Sequence, residues 1–505
     1  MYKSILFFLI IIFSCEQLPE SHLEQQALLP IVKNVVPTGK HFKLNRPITL
    51  SYDEKDSLLH PVAAVLEERW EKTTGYKFSD KWTMQRIAFK RIEGLAQEEY
   101  ILSITSKSIQ LEASTNEGFF RAIMTLEQLL LLATQQVDAT TTSSLPTGVI
   151  KDHPRFAYRG TMLDVSRHFF SVEDLKRHID LLALYKINFL HLHLSDDQGW
   201  RIEIKQWPKL TEIGGSTEVG GGEGGFYTQA EYKEIVAYAA KHFITIVPEI
   251  DLPGHTNAAL ASYPALNCDG IAPPLYTGTD VGFSSLCVNK EITFKFMEEV
   301  IAEIAAITPG PYFHIGGDES HSTKKEDYIT FIDAAQAMVK ANNKAAIGWD
   351  EIQSTELFPK TVAHFWRNKA NAKNAIAQGN KLLMSPASRA YLDMKYNDST
   401  SLGLNWAGNI SVKHAYVWDP ATLVDGIGEE NIIGIEAPLW SETIEDYDDL
   451  AYLAFPRLLG YAEIGWANTD QRQWDNYQAR LIQHGKILKS KGVNFYRSTQ
   501  VLWDE

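Results

Sequence analysis

The sequence predicts an α/β protein: a (β/α)8 TIM barrel preceded by a small α+β domain. Three observations carry this. From Pro154 onward, short apolar runs alternate with longer helical stretches. The C-terminal ends of those runs are rich in carboxylates and Trp, as expected at the working face of a barrel. Before Ile150 the pattern is instead strands mixed with two amphipathic helices.

The elements follow in chain order. Residues 1–15 read as a leader: Ile5 to Phe13 is apolar but far shorter than the ~20 residues of a membrane span. The run ends at Ser14-Cys15, which resembles a bacterial lipoprotein signal with Cys15 as the lipidated residue. The alternative is an ordinary signal peptide cut a few residues later. Residues 16–28 are polar and read as a tether, and 29–150 as the α+β domain. There, His60–Thr73 has the pattern of an amphipathic helix, and Ile101–Thr105 and Ile109–Ala113 read as a hairpin. Asn116 is the expected N-cap of a helix continuing through Phe119–Ala133. Thr140–Pro146 is expected to be a linker or exposed loop.

Residues 154–505 supply the barrel. The strand candidates are Gly160–Val165, Asn188–Leu194, Ile244–Ile250, Tyr312–Gly317, Ala345–Trp349, Thr361–Phe365, Lys381–Met384 and Ile432–Ile435. Helical stretches such as Val172–Tyr185, Gln229–His242 and Lys290–Ile307 separate them. An open doubly wound sheet is the alternative, but no Gly-rich phosphate loop follows the first strand. Gly220–Gly225 lacks the Lys-Ser/Thr of a P-loop and is expected to be a flexible loop near the cleft.

Composition narrows the function. A net charge of −15 over 505 residues argues against an electrostatically driven partner such as nucleic acid or an anionic membrane. Membrane contact is expected only through the lipid anchor, in the periplasm or at the cell surface. Cys268 and Cys287 are an even pair in a Gly/Pro-rich stretch and read as a loop-closing disulfide, with two buried thiols as the alternative. Oligomeric state is not legible.

The strand ends carry the chemistry. Carboxylates supply acid and base groups, Trp faces stack on sugar rings, and Arg forks to hydroxyls, which together point to a glycosidase. His191 and His193 lie on one strand face and offer a competing metal reading with Asp196. Their position inside the strand favours packed interior histidines.

Several motifs make the sequence recognisable. Tyr158-Arg159-Gly160, Leu163-Asp164-Val165-Ser166-Arg167-His168-Phe169, His191-Leu192-His193-Leu194-Ser195-Asp196-Asp197, Glu249-Ile250-Asp251-Leu252-Pro253-Gly254-His255 and His314-Ile315-Gly316-Gly317-Asp318-Glu319 resemble the β-N-acetylhexosaminidases of glycoside hydrolase family 20. The resemblance runs from about Leu29 to the C-terminus, with the motifs in the family's order. It implies exo-acting removal of terminal β-linked GlcNAc or GalNAc with retention, the substrate's own acetamido oxygen being the nucleophile; the alternatives are a family member releasing a disaccharide and a non-catalytic glycan-binding lipoprotein. It implies no metal or organic cofactor. Glu319 matches the general acid/base and must hold its proton when substrate binds. Asp318 matches the ionised residue that holds the acetamido N–H, and Tyr391 the hydroxyl that aims the acetamido oxygen. Asp196 and His255 resemble the network orienting Glu319. Trp349, Trp366 and Trp440 resemble pocket walls, while Arg167, Asp393 and Glu442 resemble the grip on the outer ring hydroxyls. Trp418 is expected on the leaving-group side. Arg159, Asp164 and Asp251 are expected in buried pairing. The Cys268/Cys287 pair looks like a loop disulfide of bacterial relatives.

Overall fold

The computed structural model describes residues 20–44, 46–135 and 143–503. The leader and Cys15 lie outside them. The first unit is a six-stranded sheet built from β1 (Asn34–Lys43), β2 (Ile48–Ser51), β3 (Gln85–Arg91), β4 (Tyr100–Ile104), β5 (Ser108–Ala113) and β6 (Ser144–Asp152). Its order is β1-β6-β4-β5-β3-β2. The expected hairpin is the antiparallel β4/β5 pair, whose alternate residues are buried. That period of two puts one face against the helix α2 (Asn116–Gln135), on which α1 (Leu59–Thr74) packs in turn.

Three expectations need correction. The N-cap of α2 is Thr115, whose hydroxyl accepts from Gly118 N, while Asn116 is turned to Arg91 and the Leu58 carbonyl. Ser144–Pro146, expected in a linker, instead opens β6 and pairs with Lys43, Phe42 and His41 of β1. The expected tether ends well before Leu28: Ser21 bridges to Gly39, and Leu23 and Leu28 are buried. Two well-spaced leucines found apolar cover, so a stretch that reads as polar is docked.

The second unit is a closed parallel barrel of β7 (Tyr158–Asp164), β8 (Phe189–His193), β9 (Thr245–Glu249), β10 (Tyr312–His314), β11 (Ala345–Trp349), β12 (Val362–Phe365), β13 (Lys381–Met384) and β14 (Ile432–Leu439). Helices wrap it, the next being α3 (Val172–Leu184) and α4 (Gln229–Lys241). Both start with capping boxes, from Ser171 with Asp174 and from Thr228 with Glu231. Inside the barrel, Tyr158, Val247, Ile347, Val362 and Leu383 form an apolar cluster nearest the strand starts. Above it lies a buried layer of His191, Glu249, His314, His364 and Glu436.

The helix α2 joins the units. Its Arg121 shares Glu98 with Arg159 of β7. Burial pushes the Glu98 carboxyl up, but Arg159 and Arg121 outweigh that and hold it low, so the bridge is ionic. Arg159 is thus in the buried pairing its motif implied.

Candidate active site

The strand β10 is shorter than its apolar run, and the reason builds the site. After His314 the chain turns through Gly316 (φ +64°) and Gly317 (φ +99°), and Glu319 itself has φ +43°. A Cβ at Gly316 would lie 1.8 Å from Asp251 Oδ1, so only glycine fits. The turn aims Asp318 and Glu319 into a cavity of about 240 Å³ at the C-terminal end of the barrel. His255, at φ +55°, is the other cavity residue with a left-handed backbone among the described residues. A larger cavity, about 540 Å³, sits at the opposite end around Tyr158, Phe189 and Tyr312. It lies on the face where barrels keep stability rather than chemistry.

His255, Asp318 and Glu319 present polar atoms within 4.8 Å of one another. His255 Nδ1 meets Asp196 Oδ1 at 3.1 Å, and its Nε2 stands 3.8 Å from Asp318 Oδ2. Burial lowers the His255 imidazole, but the carboxylates around it, Asp196 first, outweigh that, so the ring is a cation. Asp196 also contacts Arg167 at 2.8 Å and His193 at 2.8 Å. Burial alone would raise the Asp196 carboxyl, yet Arg167 and His255 hold it well below the usual range.

Asp251 departs from its expected pairing, since its charged neighbours are mostly carboxylates. Its Oδ1 accepts from Gly317 N, and its carboxyl hydrogen-bonds Asp318. Burial, then Asp318, drives Asp251 well above the ordinary carboxylate range. Two buried carboxyls in contact share one proton. Burial raises Asp318 as well, but less than Asp251, so the shared proton sits on Asp251 and Asp318 is the more acidic of the pair. Asp164 holds the turn after β7, accepting from Ser166 N, Arg167 N and Ser441 N.

Aromatic rings make the wall. Tyr391 lies parallel to Trp366 at 6.3 Å, with Trp406 and Trp440 also beside it. Trp440 carries the Arg167 guanidinium on its face, 4.9 Å from the ring centre. Trp349 sits one layer deeper than a wall: it stacks on His364 at 4.2 Å, donates to Glu249, and backs Trp440. Trp418 is not at the cavity. Its indole donates to Ala415 O and packs near Tyr461, tucked under the helix Arg457–Trp466. The rim tryptophan is Trp406, 54% exposed. Sequence reasoning missed it, although Leu404-Asn405-Trp406-Ala407-Gly408 sets a lone Trp in a turn-rich loop after the seventh barrel strand. It also missed Thr279 and Val281, which line the cavity from the loop closed by the Cys268–Cys287 disulfide. The glycine run packs beside that loop, with Gly220 N donating to Thr277 O.

At the inner end, polar atoms await partners. Both oxygens of Asp393, Glu442 Oε2, Arg167 Nε, Asp318 Oδ1 and His255 Nε2 are buried with no protein hydrogen bond. Each such atom costs ~1–3 kcal/mol. Their convergence on one cavity suits a ligand dense in hydroxyl and amide groups. Burial and then Glu442 hold Asp393 far above its usual range. His191 and His193, the candidate ligands of the metal reading, are instead tied to carboxylates: His191 to Glu436 at 2.8 Å, and His193 to Glu249 and Asp196.

A barrel with paired carboxylates and an aromatic-walled cavity at its C-terminal face defines a glycoside hydrolase. Comparisons make this specific. The model of glycosyl hydrolase family 20, catalytic domain, matches residues 156–328 and 321–469, and that of the family's domain 2 matches 25–153. A β-N-acetylhexosaminidase of Cellulomonas fimi is 43% identical over 80% of this chain and 82% of its own. The solved GH20 β-N-acetylhexosaminidase of Streptomyces coelicolor A3(2) is 44% identical, with TM-score 0.91 over 96% of this chain and 100% of that one. The Streptomyces plicatus N-acetyl-β-hexosaminidase, solved with Thio-NAglucal, is also 44% identical, with TM-score 0.91 over 97% and 99%. The chain belongs to glycosyl hydrolase family 20.

Proposed function

We infer that this protein is an exo-acting β-N-acetylhexosaminidase that releases terminal β-linked GlcNAc or GalNAc with retention. The single observation that carries this is the set of unpartnered buried polar atoms beside the Tyr391, Trp366 and Trp440 rings, with Asp318 and Glu319 next to them. Asp393, Glu442 and Arg167 take the outer hydroxyls. Being 1–3% exposed at Asp393 and Arg167, that end is closed, so only a chain terminus enters. Trp406 and Val281 are 54% and 43% exposed and mark the open side, where the rest of the glycan leaves.

The chemistry follows from the residues. Tyr391 O–H donates to the acetamido oxygen, and the ionised Asp318 accepts the acetamido N–H, so the oxygen is held against the anomeric carbon. Glu319 gives its proton to the glycosidic oxygen as the C1–O bond breaks and the acetamido oxygen bonds C1. Asp318 stabilises the resulting oxazolinium cation. Glu319, now a carboxylate, takes a proton from water as that water opens the ring at C1. Two displacements at one carbon retain its configuration.

We also propose an exported, lipid-anchored protein, in the periplasm or at the cell surface. The apolar run Ile5–Phe13 followed by Ser14-Cys15 supports it. Mass spectrometry of the membrane-extracted protein should find a diacylglyceryl group on Cys15, and an unmodified, freely released chain rejects the anchor.

The activity test is a pair of rates on the chain without residues 1–15. An aryl 2-acetamido-β-glucoside should be cleaved rapidly and the matching aryl β-glucoside hardly at all. Equal rates would mean a protein nucleophile.

A further inference from the structure

Arg367 is unexplained by the roles above, and its surroundings are specific. It follows Trp366 at the end of β12, where Trp366 N, Arg367 N and Asn368 N all donate to one oxygen of the buried Asp350. Three backbone donors on one carboxylate fix the turn. The guanidinium lies on the Trp366 ring, 3.9 Å from its centre. It stands between two carboxyls, 3.7 Å from Glu319 Oε1 and 3.6 Å from Glu351 Oε1. Glu351 is fixed in turn, because its other oxygen accepts from Trp366 Nε1 at 3.0 Å.

We propose that Arg367 is a positioning residue for Glu319, shared with Glu351, that favours the ionised form Glu319 takes after giving up its proton. The proposal rests on the assignment of Glu319 as acid/base. Arg367 lines the same cavity, and its charge is assigned to the Glu319 carboxyl rather than to the sugar. It acts by lying within Coulombic reach of one carboxyl whose charge changes twice per turnover. A guanidinium stacked flat on a fixed indole loses little freedom when it pairs, which suits repeated pairing and release.

The charged neighbours agree. Glu319 is faced by Asp318 from its own turn, by His255 from the turn after β9, and by Arg367 from the turn after β12. Glu351 is faced by Asp350 and Asp318, by the Trp366 N–H, and by Tyr328 from the helix Lys325–Ala341. Burial, then Asp350 and Asp318, pushes Glu351 up to about 8. Near neutral pH Glu351 is therefore largely uncharged and leaves Arg367 to Glu319. At higher pH its carboxylate competes for the same cation.

The signs of two substitutions are opposite. Arg367→Met removes the cation 3.7 Å from the Glu319 carboxyl, which disfavours its charged form. Glu351→Gln removes a competing anion while keeping an acceptor for Trp366, so Arg367 is left wholly to the Glu319 carboxylate. The experiment is the pH profile of kcat/KM on a phenyl 2-acetamido-β-glucoside, whose poor leaving group needs the acid. In Arg367→Met the alkaline limb should move up by about 0.5–1 unit, less than the 1–3 units of a buried neighbour because the guanidinium is half exposed. In Glu351→Gln it should move down, and in Arg367→Lys it should return toward wild type. A 2,4-dinitrophenyl leaving group, which needs no acid, should show no such shift in kcat/KM. Melting curves confirm that each variant folds. Limbs that stay fixed, or an Arg367→Lys profile identical to that of Arg367→Met, would overturn the proposal and leave Arg367 as packing on Trp366. Wild-type failure on both glucosides would reject the hexosaminidase reading instead.

Discussion

Two regions of this barrel hold the same kinds of side chain and use them in opposite ways. In the interior, Glu249 takes His314 at 2.8 Å, His193 at 2.5 Å and His191 at 3.1 Å, and donation from Trp349 besides. Glu436 takes His191 and the Tyr158 hydroxyl. One storey up, Asp393 is buried, Asp318 nearly so and Glu442 partly, yet all three keep buried oxygens without a protein partner. A satisfied buried charge is part of the scaffold, while an unsatisfied one stores binding energy for a ligand. Composition does not separate the two regions, but the partnership of their carboxylates does.

The largest expected effect lies in the cleft. Glu319→Gln should lower kcat on a phenyl leaving group by about 10²–10⁴-fold, the range of general acid catalysis. Its side chain is 21% exposed and its buried supports are intact, so the melting temperature should barely move. A normal kcat would remove Glu319 from the acid role.

The interior should respond in the reverse sense. Glu249→Gln leaves three histidines around a neutral amide. Breaking a buried ionic cluster on one side costs about 3–5 kcal/mol, read by urea denaturation. Asp393→Asn offers the contrast, since it relieves a carboxyl already held far above its usual range by burial and Glu442. It should raise KM with stability unchanged or improved. Equal stability losses in the two variants would erase the distinction between the regions.

The same comparison explains what the sequence discloses. Barrel strands such as Ala345–Trp349 and Lys381–Met384 are legible to the residue, because apolar runs bounded by polar ends have one solution in a closed parallel sheet. Strand β10 is legible only in part: Ile315 to Gly317 continues the apolar run, but the Gly316 turn ends pairing at His314. Asp318, Glu319, Tyr391 and Arg167 are found from motif and chemistry together. Trp418 and Trp406 are confused because each is a tryptophan after the seventh strand. Only tertiary packing decides which is buried, and no local pattern reports it. Leu23 and Leu28 read as tether for the same reason.

A pH test sharpens the contrast next. Burial lowers His191, yet Glu436 and Glu249 raise it to about 9, above its unfolded value of about 6.5. A raised base stabilises the fold fully below about pH 6.5, and that contribution fades as pH climbs through 9. Folding stability should therefore decline between these values, and His191→Gln should flatten the decline. An unchanged slope in His191→Gln would place the alkaline loss elsewhere.

The smallest effect distinguishes the two tryptophans. Trp406 is half exposed, and its ring meets Tyr391 and Trp366 edge-on across the open side of the cavity. Trp406→Ala removes a face on which a second sugar would lie, while burying nothing new. A stacking contact is worth about 1 kcal/mol, so KM for a β-linked disaccharide should rise about fivefold, with melting unchanged. A small aryl glycoside reaches less of that ring and should lose less. Trp418→Phe is the matched control: its indole is 7% exposed and bonded to Ala415 O, so it should cost stability and leave KM alone. If KM moved with Trp418 and not with Trp406, the open side of the cavity would be misplaced, and with it the path by which the released glycan leaves.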